Sequence, residues 1–251
     1  MRLPDFIIGG APRSGTTWLY SVLDLHPSVS LAKPTRPEPK FFLLDDSFAK
    51  GLEYYSKQWF ASCAPGKIAG EKSTNYLESP IVSKRIAESI PGIKLLFVLR
   101  EPASRAYSNY LWSRMNGLET EDFVKALEIE EHRQQNIAPH LHYARPHAYF
   151  SRGLYAEMLL PYFEKFPHEQ ILCLKYEDIS GKPREFISQV HRFLGIEVRQ
   201  NDANEVGVIN AAEAGRQQLR PEIDRMLRDR YAPHNRKLAE LLGDQFEVWY
   251  Q

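Results

Sequence analysis

An apolar segment that runs straight into a glycine-bearing turn constrains the fold of this chain more than any other feature. Phe6–Ile8 is apolar, Gly10 and Gly15 bracket a short loop, and Trp18 and Leu19 open an apolar helical pattern. This order predicts a buried strand, a tight loop and a helix start in one run. Glycines there allow backbone angles that a Cβ would forbid, so that loop amides and the first helical N–H groups point toward one anion. The segment therefore predicts a phosphate-binding loop.

The side chains of this loop favour the same interpretation. They supply three hydroxyl groups and one fixed positive charge, from Arg13, Ser14, Thr16 and Thr17. The spacing from Gly10 to Gly15 nearly fits the P-loop of nucleoside triphosphatases, but Thr16 stands where that motif needs its phosphate-binding lysine. A standard ATPase is therefore disfavoured. The alternative is a turn in a doubly wound domain whose glycines serve only the chain reversal.

The composition is that of an ordinary globular protein, and it limits the partners that the chain can attract. The chain has 251 residues, 43% of them hydrophobic, and 32 basic residues balance 32 acidic ones. We expect one domain over residues 1–251 and no broad surface for nucleic acid or anionic lipid. Cys63 and Cys173 lack metal-ligand spacing and are expected to be reduced. The absence of a signal sequence and of an apolar run of about 18 residues predicts a cytoplasmic protein without a membrane span, although a chain trimmed of an anchor would give the same pattern.

Apolar runs and helical patterns alternate along the chain. Strands are predicted in the apolar run that begins at Phe6 and at Val29–Ala32, Ile68–Glu71, Ile93–Leu99 and Ile171–Lys175. Helices are predicted at Thr17–Leu25, Gly51–Phe60, Ser79–Ile90, Glu101–Asn116, Asp122–His132, Arg152–Phe166 and Arg184–Leu194. In the third of these helices, Ile81, Val82, Ile86 and Ile90 should form the buried stripe. This alternation predicts an α/β fold with a central, mainly parallel sheet flanked by helices, and ligands at the carboxyl ends of the strands.

Two stretches in the second half of the chain have less regular patterns. Residues Asn136–Ser151 contain two prolines and three histidines, which predicts an irregular loop and a candidate substrate lid. From Ala211 onward the chain is predicted to be helical, with a break near Pro233.

Arg100 and Ser108 form a second candidate anion site. If Pro102 lies in the first turn of a helix, Arg100 precedes the helix start and Ser108 faces the same side about two turns later. An arginine and a serine so placed could hold a further phosphate. The alternative is an exposed arginine and a helix serine bonded to its own backbone.

Several motifs together resemble those of PAPS-dependent sulfotransferases, especially the heparan sulfate N- and 3-O-sulfotransferase type, in a soluble, bacterial-like form. They are Gly10–Trp18, Glu38–Phe42, Glu71–Tyr76, Arg100–Ser108, Arg152–Ala156 and Ala214–Arg216. They occur in the family's order over essentially the whole chain. The resemblance implies a P-loop-like fold, PAPS as the sulfuryl donor, PAP as the product and no metal.

The resemblance also implies roles for individual residues. Glu38 would be the general base, Lys72 would lie beside the transferred group, and Arg13 would act electrostatically. The cofactor would be bound by Arg13, Ser14, Gly15, Thr16, Thr17, Trp18, Arg100, Ser108 and Arg216, with Arg100 and Ser108 on the 3′-phosphate. The acceptor would meet Lys40, Phe41 and His140.

Each of the catalytic and acceptor assignments has a plainer alternative. Glu38 could be a solvated loop carboxylate paired with Lys40 or Arg36, and Lys72 a surface lysine. Phe41 could equally be a core anchor, and histidines in a loop are usually neither ligands nor proton shuttles.

The sequence also departs from the family pattern. Arg13 replaces a lysine found in many members, Ala214 replaces a lysine, and Lys40 replaces a histidine that some members carry. The acceptor therefore stays open between a carbohydrate and a hydroxylated small metabolite, with a hydroxyl favoured over an amine. A nucleotide-dependent phosphotransferase and a nucleotide-binding scaffold without turnover are the alternative functions, and the sequence does not predict the oligomeric state.

Overall fold

The structure is a computed structural model that describes residues 1–138, 141, 143–200, 206 and 219–249. Its strands are β1 (Phe6–Gly10), β2 (Val29–Leu31), β3 (Ile68–Lys72), β4 (Lys94–Leu99) and β5 (Ile171–Lys175). They form one sheet in the order β2-β3-β1-β4-β5, and every neighbouring pair is parallel. The predicted parallel α/β sheet is confirmed.

The described part of the chain also forms helices. They are α1 (Thr16–Leu25), α2 (Asp45–Phe48), α3 (Gly51–Phe60), α4 (Pro80–Ser89), α5 (Pro102–Met115), α6 (Phe123–Glu128), α7 (Glu130–Gln135), α8 (Tyr155–Phe163), α9 (Glu177–Gly181), α10 (Pro183–Leu194) and α11 (Pro221–Leu242). None of these helices has the length and apolar character needed to cross a membrane.

The chain divides into two compact units. The first consists of residues 1–99 and 159–209 and contains the whole sheet. Both faces of β4 are covered within it: Leu96 and Val98 pack in a core cluster with α1 and α10, while the ring of Phe97 contacts Tyr162 of α8 at 5.0 Å. Burial on both faces explains why this strand is apolar throughout.

The second unit consists of residues 100–158 and 210–251. Ala103, Ala106 and Tyr110 of α5 pack with Ile223 and Leu227 of α11 in its core cluster. The hydroxyl of the fully buried Tyr231 donates to the Phe150 carbonyl at 2.8 Å. The single domain predicted over residues 1–251 stays a prediction.

Three details of the predicted elements are wrong. Helix α11 continues through Pro233, because buried side chains on both sides of the proline, among them Tyr231 and Leu238, keep the helix packed and offset the lost hydrogen bond. The predicted helix Asp122–His132 is two helices that part at Ile129. Ile81 is exposed because it lies on the outer side of α4, while Val82 and Ile86 are buried.

Candidate functional site

The loop between β1 and α1 makes a tight turn in which two residues have left-handed backbone angles. Arg13 and Gly15 adopt left-handed backbone angles, with φ of 68° and 78°. A Cβ on Gly15 would also lie 2.5 Å from Ile179 Cδ1, so this position excludes a side chain for two reasons. We expected both glycines of the loop to adopt backbone angles that a Cβ would forbid, but the φ of Gly10 is not positive. A glycine is needed there because a Cβ would lie 2.7 Å from that of Leu77.

The N-terminus of α1 suits an anion. In the described part of the chain no side chain caps this helix, and its first turn contains no acidic residue. Helix α5, by contrast, is capped by Glu101, which accepts from the amides of Ala103 and Ser104 at 3.0 and 2.8 Å. The buried hydroxyl of Ser14 has no hydrogen-bond partner among the described residues. An uncapped helix start and an unsatisfied buried hydroxyl on one loop fit a bound phosphate or sulfate group.

Trp18 lies in the core of the first unit. It is 7% exposed, its ring meets Phe186 edge to face at 5.9 Å, and its Nε1 donates to the Val206 carbonyl at 3.3 Å. These contacts give Trp18 a packing role, and its predicted role in cofactor binding stays a prediction.

Glu38 and Lys72 form a largely buried ion pair. Lys72 Nζ lies 2.5 Å from Glu38 Oε1, and their side chains are 3% and 12% exposed. Glu38 Oε2 also accepts from the Thr74 amide at 3.1 Å and from the Thr74 hydroxyl at 3.2 Å. Such a pair is tolerated away from water because further hydrogen bonds, here from Thr74, offset part of the cost of burying the two charges. Glu38 is therefore not a solvated carboxylate on Lys40 or Arg36, and Lys72 is not a surface lysine.

The sheet places Lys72 near the loop between β1 and α1. Lys72 ends β3 and pairs in register with Ile8 of β1, whose strand ends two residues later at Gly10. Carboxyl ends of parallel strands meet at one edge of a sheet, where ligands of such folds bind. Lys72 of the ion pair and the loop between β1 and α1 thus lie at the ends of neighbouring strands in the first unit.

Glu71 is a buried carboxyl group that the sequence reasoning did not single out. It is fully buried and accepts from the hydroxyl groups of Tyr55 and Ser73 at 2.8 and 3.0 Å. Burial raises the pKa of Glu71 to about 7. The available signal was its place inside a strand, between Gly70 and Lys72, where an apolar side chain is the usual choice.

The loop that carries Glu38 is anchored in the core by its aromatic residues. Phe41 is 1% exposed and stacks on Tyr55 with ring centroids 4.3 Å apart, and Phe42 is fully buried. This packing matches the core-anchor alternative for Phe41, whose ring is covered in this conformation. Lys40 is partly exposed with φ of 48°, and its contact with an acceptor stays a prediction.

Arg100 and Ser108 belong to the second unit. Helix α5 begins at Pro102, so Arg100 precedes the helix start as predicted, and Ser108 lies within the helix. Both residues are partly exposed, and the Tyr155 hydroxyl donates to the Arg100 carbonyl at 2.9 Å. Their binding of a phosphate stays a prediction. His140 and Arg216 lie outside the described residues.

The carboxyl half of the predicted lid is tied down within the second unit. Ser113 and Asn109 of α5 donate to the carbonyls of Pro146 and Ala148 at 2.9 and 3.3 Å. Glu130 of α7 accepts from the amides of Phe150 and Ser151 at 2.7 and 2.8 Å. Residues 146–150 are irregular, as predicted, but these bonds fix them against α5 and α7, and a short 3-10 helix begins at Ser151.

Comparison with known proteins gives two kinds of similarity. Residues 3–209 match the sequence profile of the sulfotransferase domain. The bifunctional heparan sulfate N-deacetylase/N-sulfotransferase 2 of Mus musculus is 30% identical over 198 residues, which cover 78% of this chain and 22% of that protein. The heparan sulfate glucosamine 3-O-sulfotransferase 3B1 of Mus musculus is 28% identical over 265 residues, which cover 98% of this chain and 65% of that protein. The chain thus spans less than two thirds of these relatives' length.

Solved structures share the fold. A sulfotransferase from Alicyclobacillus acidocaldarius superposes with a TM-score of 0.80 at 25% identity, and the match covers 100% of both chains. Mouse sulfotransferase SULT7A1, crystallised in complex with PAP, superposes with a TM-score of 0.55 at 19% identity, covering 88% of this chain and 70% of that one.

Proposed function

The chain belongs to the sulfotransferase domain family, and from this premise we propose that it transfers the sulfuryl group of PAPS to a hydroxyl group of an acceptor, with PAP as the product. The observation that carries the proposal is the buried pair of Glu38 and Lys72 beside the strand that leads into the phosphate loop. A carboxylate and an ammonium group held together provide a proton acceptor and a neutralising charge in one place.

The phosphate loop would hold the donor. The uncapped start of α1, the unsatisfied Ser14 hydroxyl and the cation of Arg13 suit the 5′-phosphosulfate group, with Thr16 and Thr17 adding hydroxyl donors. When bound, PAPS supplies a sulfuryl group already attached to a phosphate leaving group. We assign Arg100 and Ser108 to the 3′-phosphate, and Arg216 to a further cofactor contact, on the resemblance alone.

Glu38 has the capacity to accept a proton from the acceptor. A carboxylate offers about four lone-pair directions, and Lys72 together with the two donors of Thr74 occupies three of them. The remaining direction is left for the acceptor hydroxyl, whose proton Glu38 would take as its oxygen attacks sulfur. Lys72 and Arg13 would neutralise charge that develops on oxygen during transfer.

We propose a carbohydrate as the acceptor, with an amine as the less favoured group. The support is that the curated relatives named above are heparan sulfate sulfotransferases. Lys40 and His140 are the proposed acceptor contacts, and we retain a cytoplasmic location as a prediction.

The test is radiolabelled sulfate transfer from PAPS to a panel of chemically desulfated heparan, other polysaccharides and small hydroxylated compounds. In the variant Glu38→Gln we expect the turnover rate to fall by ~10²–10⁴, with the Kd for PAP within about twofold of wild type. Glu88→Gln is the matched control, because this carboxylate is exposed on α4.

Other outcomes identify the alternatives. Wild-type turnover in Glu38→Gln would contradict the base assignment. Binding that requires magnesium and prefers ATP would favour a phosphotransferase. Tight PAP binding without transfer to any acceptor would favour a scaffold.

A further inference from the structure

Strand β3 and the turn after it contact the loop that carries Glu38 at alternate loop residues, namely Glu38, Lys40 and Phe42. The Glu38 carboxylate contacts Lys72 and Thr74, as described above. The amide of Lys40 donates to Ser73 Oγ at 2.9 Å, and the amide of Phe42 donates to the Tyr76 hydroxyl at 3.1 Å. Residues 38–42 thus run alongside residues 72–76, and the side chains of Lys72, Ser73 and Tyr76 bind them there. The position of Glu38 depends on this template.

The middle contact depends on Glu71. A serine hydroxyl has a single O–H, and that of Ser73 donates to Glu71 Oε2 at 3.0 Å while its oxygen accepts from Lys40. Glu71 therefore fixes the orientation in which Ser73 receives the loop. The other carboxylate oxygen accepts from Tyr55 of α3 at 2.8 Å, which fixes Glu71 itself.

The position of Glu71 does not allow its carboxyl group to contact the reacting groups directly. Neighbouring residues of a strand point to opposite faces, so its side chain leaves the sheet on the side opposite to Lys72. It is fully buried, with both oxygens engaged by hydroxyl donors. Glu71 acts on the loop through its hydrogen bond with Ser73, whose hydroxyl holds the Lys40 backbone. The Tyr76 hydroxyl, which holds the Phe42 amide, and the charge of Glu38 also interact with Glu71.

We propose that Glu71 and Ser73 are positioning residues for sulfuryl transfer, because together they hold the loop backbone at Lys40 and thereby keep Glu38 against Lys72. The inference rests on the proposed function. Removing the Ser73 hydroxyl would leave the Lys40 amide without its acceptor and release the loop between Glu38 and the buried Phe42. A displacement of about 1 Å at a reacting group is enough to cost about 10²-fold in rate.

The experiment compares Ser73→Ala, Ser73→Thr and Glu71→Gln with wild type. Ser83→Ala is the control, since Ser83 is a buried serine of α4 whose hydroxyl donates to the Pro80 carbonyl. Amide hydrogen exchange across residues 38–42 needs no acceptor. We expect it to rise about tenfold or more in Ser73→Ala and Glu71→Gln and to stay at the wild-type rate in Ser73→Thr and Ser83→Ala.

Kinetics with an acceptor from the panel provide the second measurement. We expect kcat to fall about tenfold or more in Ser73→Ala while the acceptor KM and the Kd for PAP stay within about twofold, and Ser73→Thr to restore kcat. Unchanged exchange or unchanged kcat in Ser73→Ala would overturn the inference, as would equal losses in Ser83→Ala. A wild-type chain that transfers nothing to any acceptor would instead refute the proposed function, and with it the catalytic part of this inference.

Discussion

Glu71 places an ionisable group in the interior of the first unit, where its protonation is linked to folding. Burial raises its pKa from 4.5 to about 7, and the hydroxyl groups of Tyr55 and Ser73 oppose part of that rise. In the unfolded chain the same carboxyl loses its proton near its ordinary pKa. Between these two values the folded chain keeps a proton that the unfolded chain has released. The contribution of Glu71 to the free energy of unfolding therefore falls as pH rises from 4.5 to about 7, and it levels off above that.

We predict that Glu71→Gln removes this pH dependence. Denaturant unfolding at about pH 5 and about pH 8 should show the variant gaining stability relative to wild type at the higher pH, by at most about 3 kcal/mol. The exposed carboxylate variant Glu88→Gln should track wild type at both values. A difference between Glu71→Gln and wild type that is the same at both pH values would contradict the raised pKa.

At the scale of elements, the turn from β1 into α1 depends on a glycine that does two things. Gly15 has φ of 78°, and a Cβ there would lie 2.5 Å from Ile179 and 2.9 Å from Tyr176. Gly66 has nearly the same angle, φ of 80°, but a Cβ there would meet no atom of the described residues within 4 Å. A comparison of alanine substitutions at Gly15 and Gly66 therefore distinguishes the cost of backbone strain from the cost of a steric clash.

We predict that Gly15→Ala lowers the free energy of unfolding by about 2–4 kcal/mol, because left-handed strain and overpacking both act. Gly66→Ala should lose only about 1 kcal/mol, from strain. Urea unfolding of the two variants measures the difference. Equal losses of unfolding free energy in the two variants would contradict the prediction, because they would mean that Ile179 and Tyr176 move aside at little cost.

The elements that could be predicted from sequence are those with a local cause. The apolar run Ile93–Leu99 became β4 (Lys94–Leu99), and Ser79-Pro80 marked the start of α4. The predicted break at Pro233 is wrong because tertiary packing decides whether the helix continues there, and a rule based on local sequence does not include that packing. Local signals thus located most elements, while their interruptions depended on tertiary contacts.

The candidate site divides in the same way. The predicted phosphate-binding loop is one continuous segment, so residue type and spacing were enough to predict its strand, its turn and the start of its helix. The partner of Glu38 lies 34 residues away, on a strand whose place beside β1 follows only from the sheet order. The resemblance named Glu38 and Lys72 separately, but their burial as a pair, and the carboxyl of Glu71 beneath the loop, required the fold.

At the scale of the whole molecule, charge is balanced, with 32 basic and 32 acidic residues. A chain without net charge exerts little long-range attraction on anions. Affinity for a nucleotide must therefore come from short-range contacts at particular groups. If the two predicted anion-binding segments each take one phosphate, affinity should depend on how many phosphates the ligand presents and where it carries them.

We predict that adenosine 3′,5′-bisphosphate binds without added metal and more tightly than AMP or ATP in calorimetric titrations. Arg100→Ala should weaken bisphosphate binding about 10–100-fold, the loss expected for a charge-assisted contact of about 1.5–3 kcal/mol. AMP lacks the 3′-phosphate, so its affinity should be unchanged by the same substitution. Arg225→Ala removes an exposed arginine of α11 and should affect neither ligand. An equal loss for AMP and the bisphosphate would place Arg100 away from the 3′-phosphate, and a preference for ATP would contradict the donor proposed for this chain.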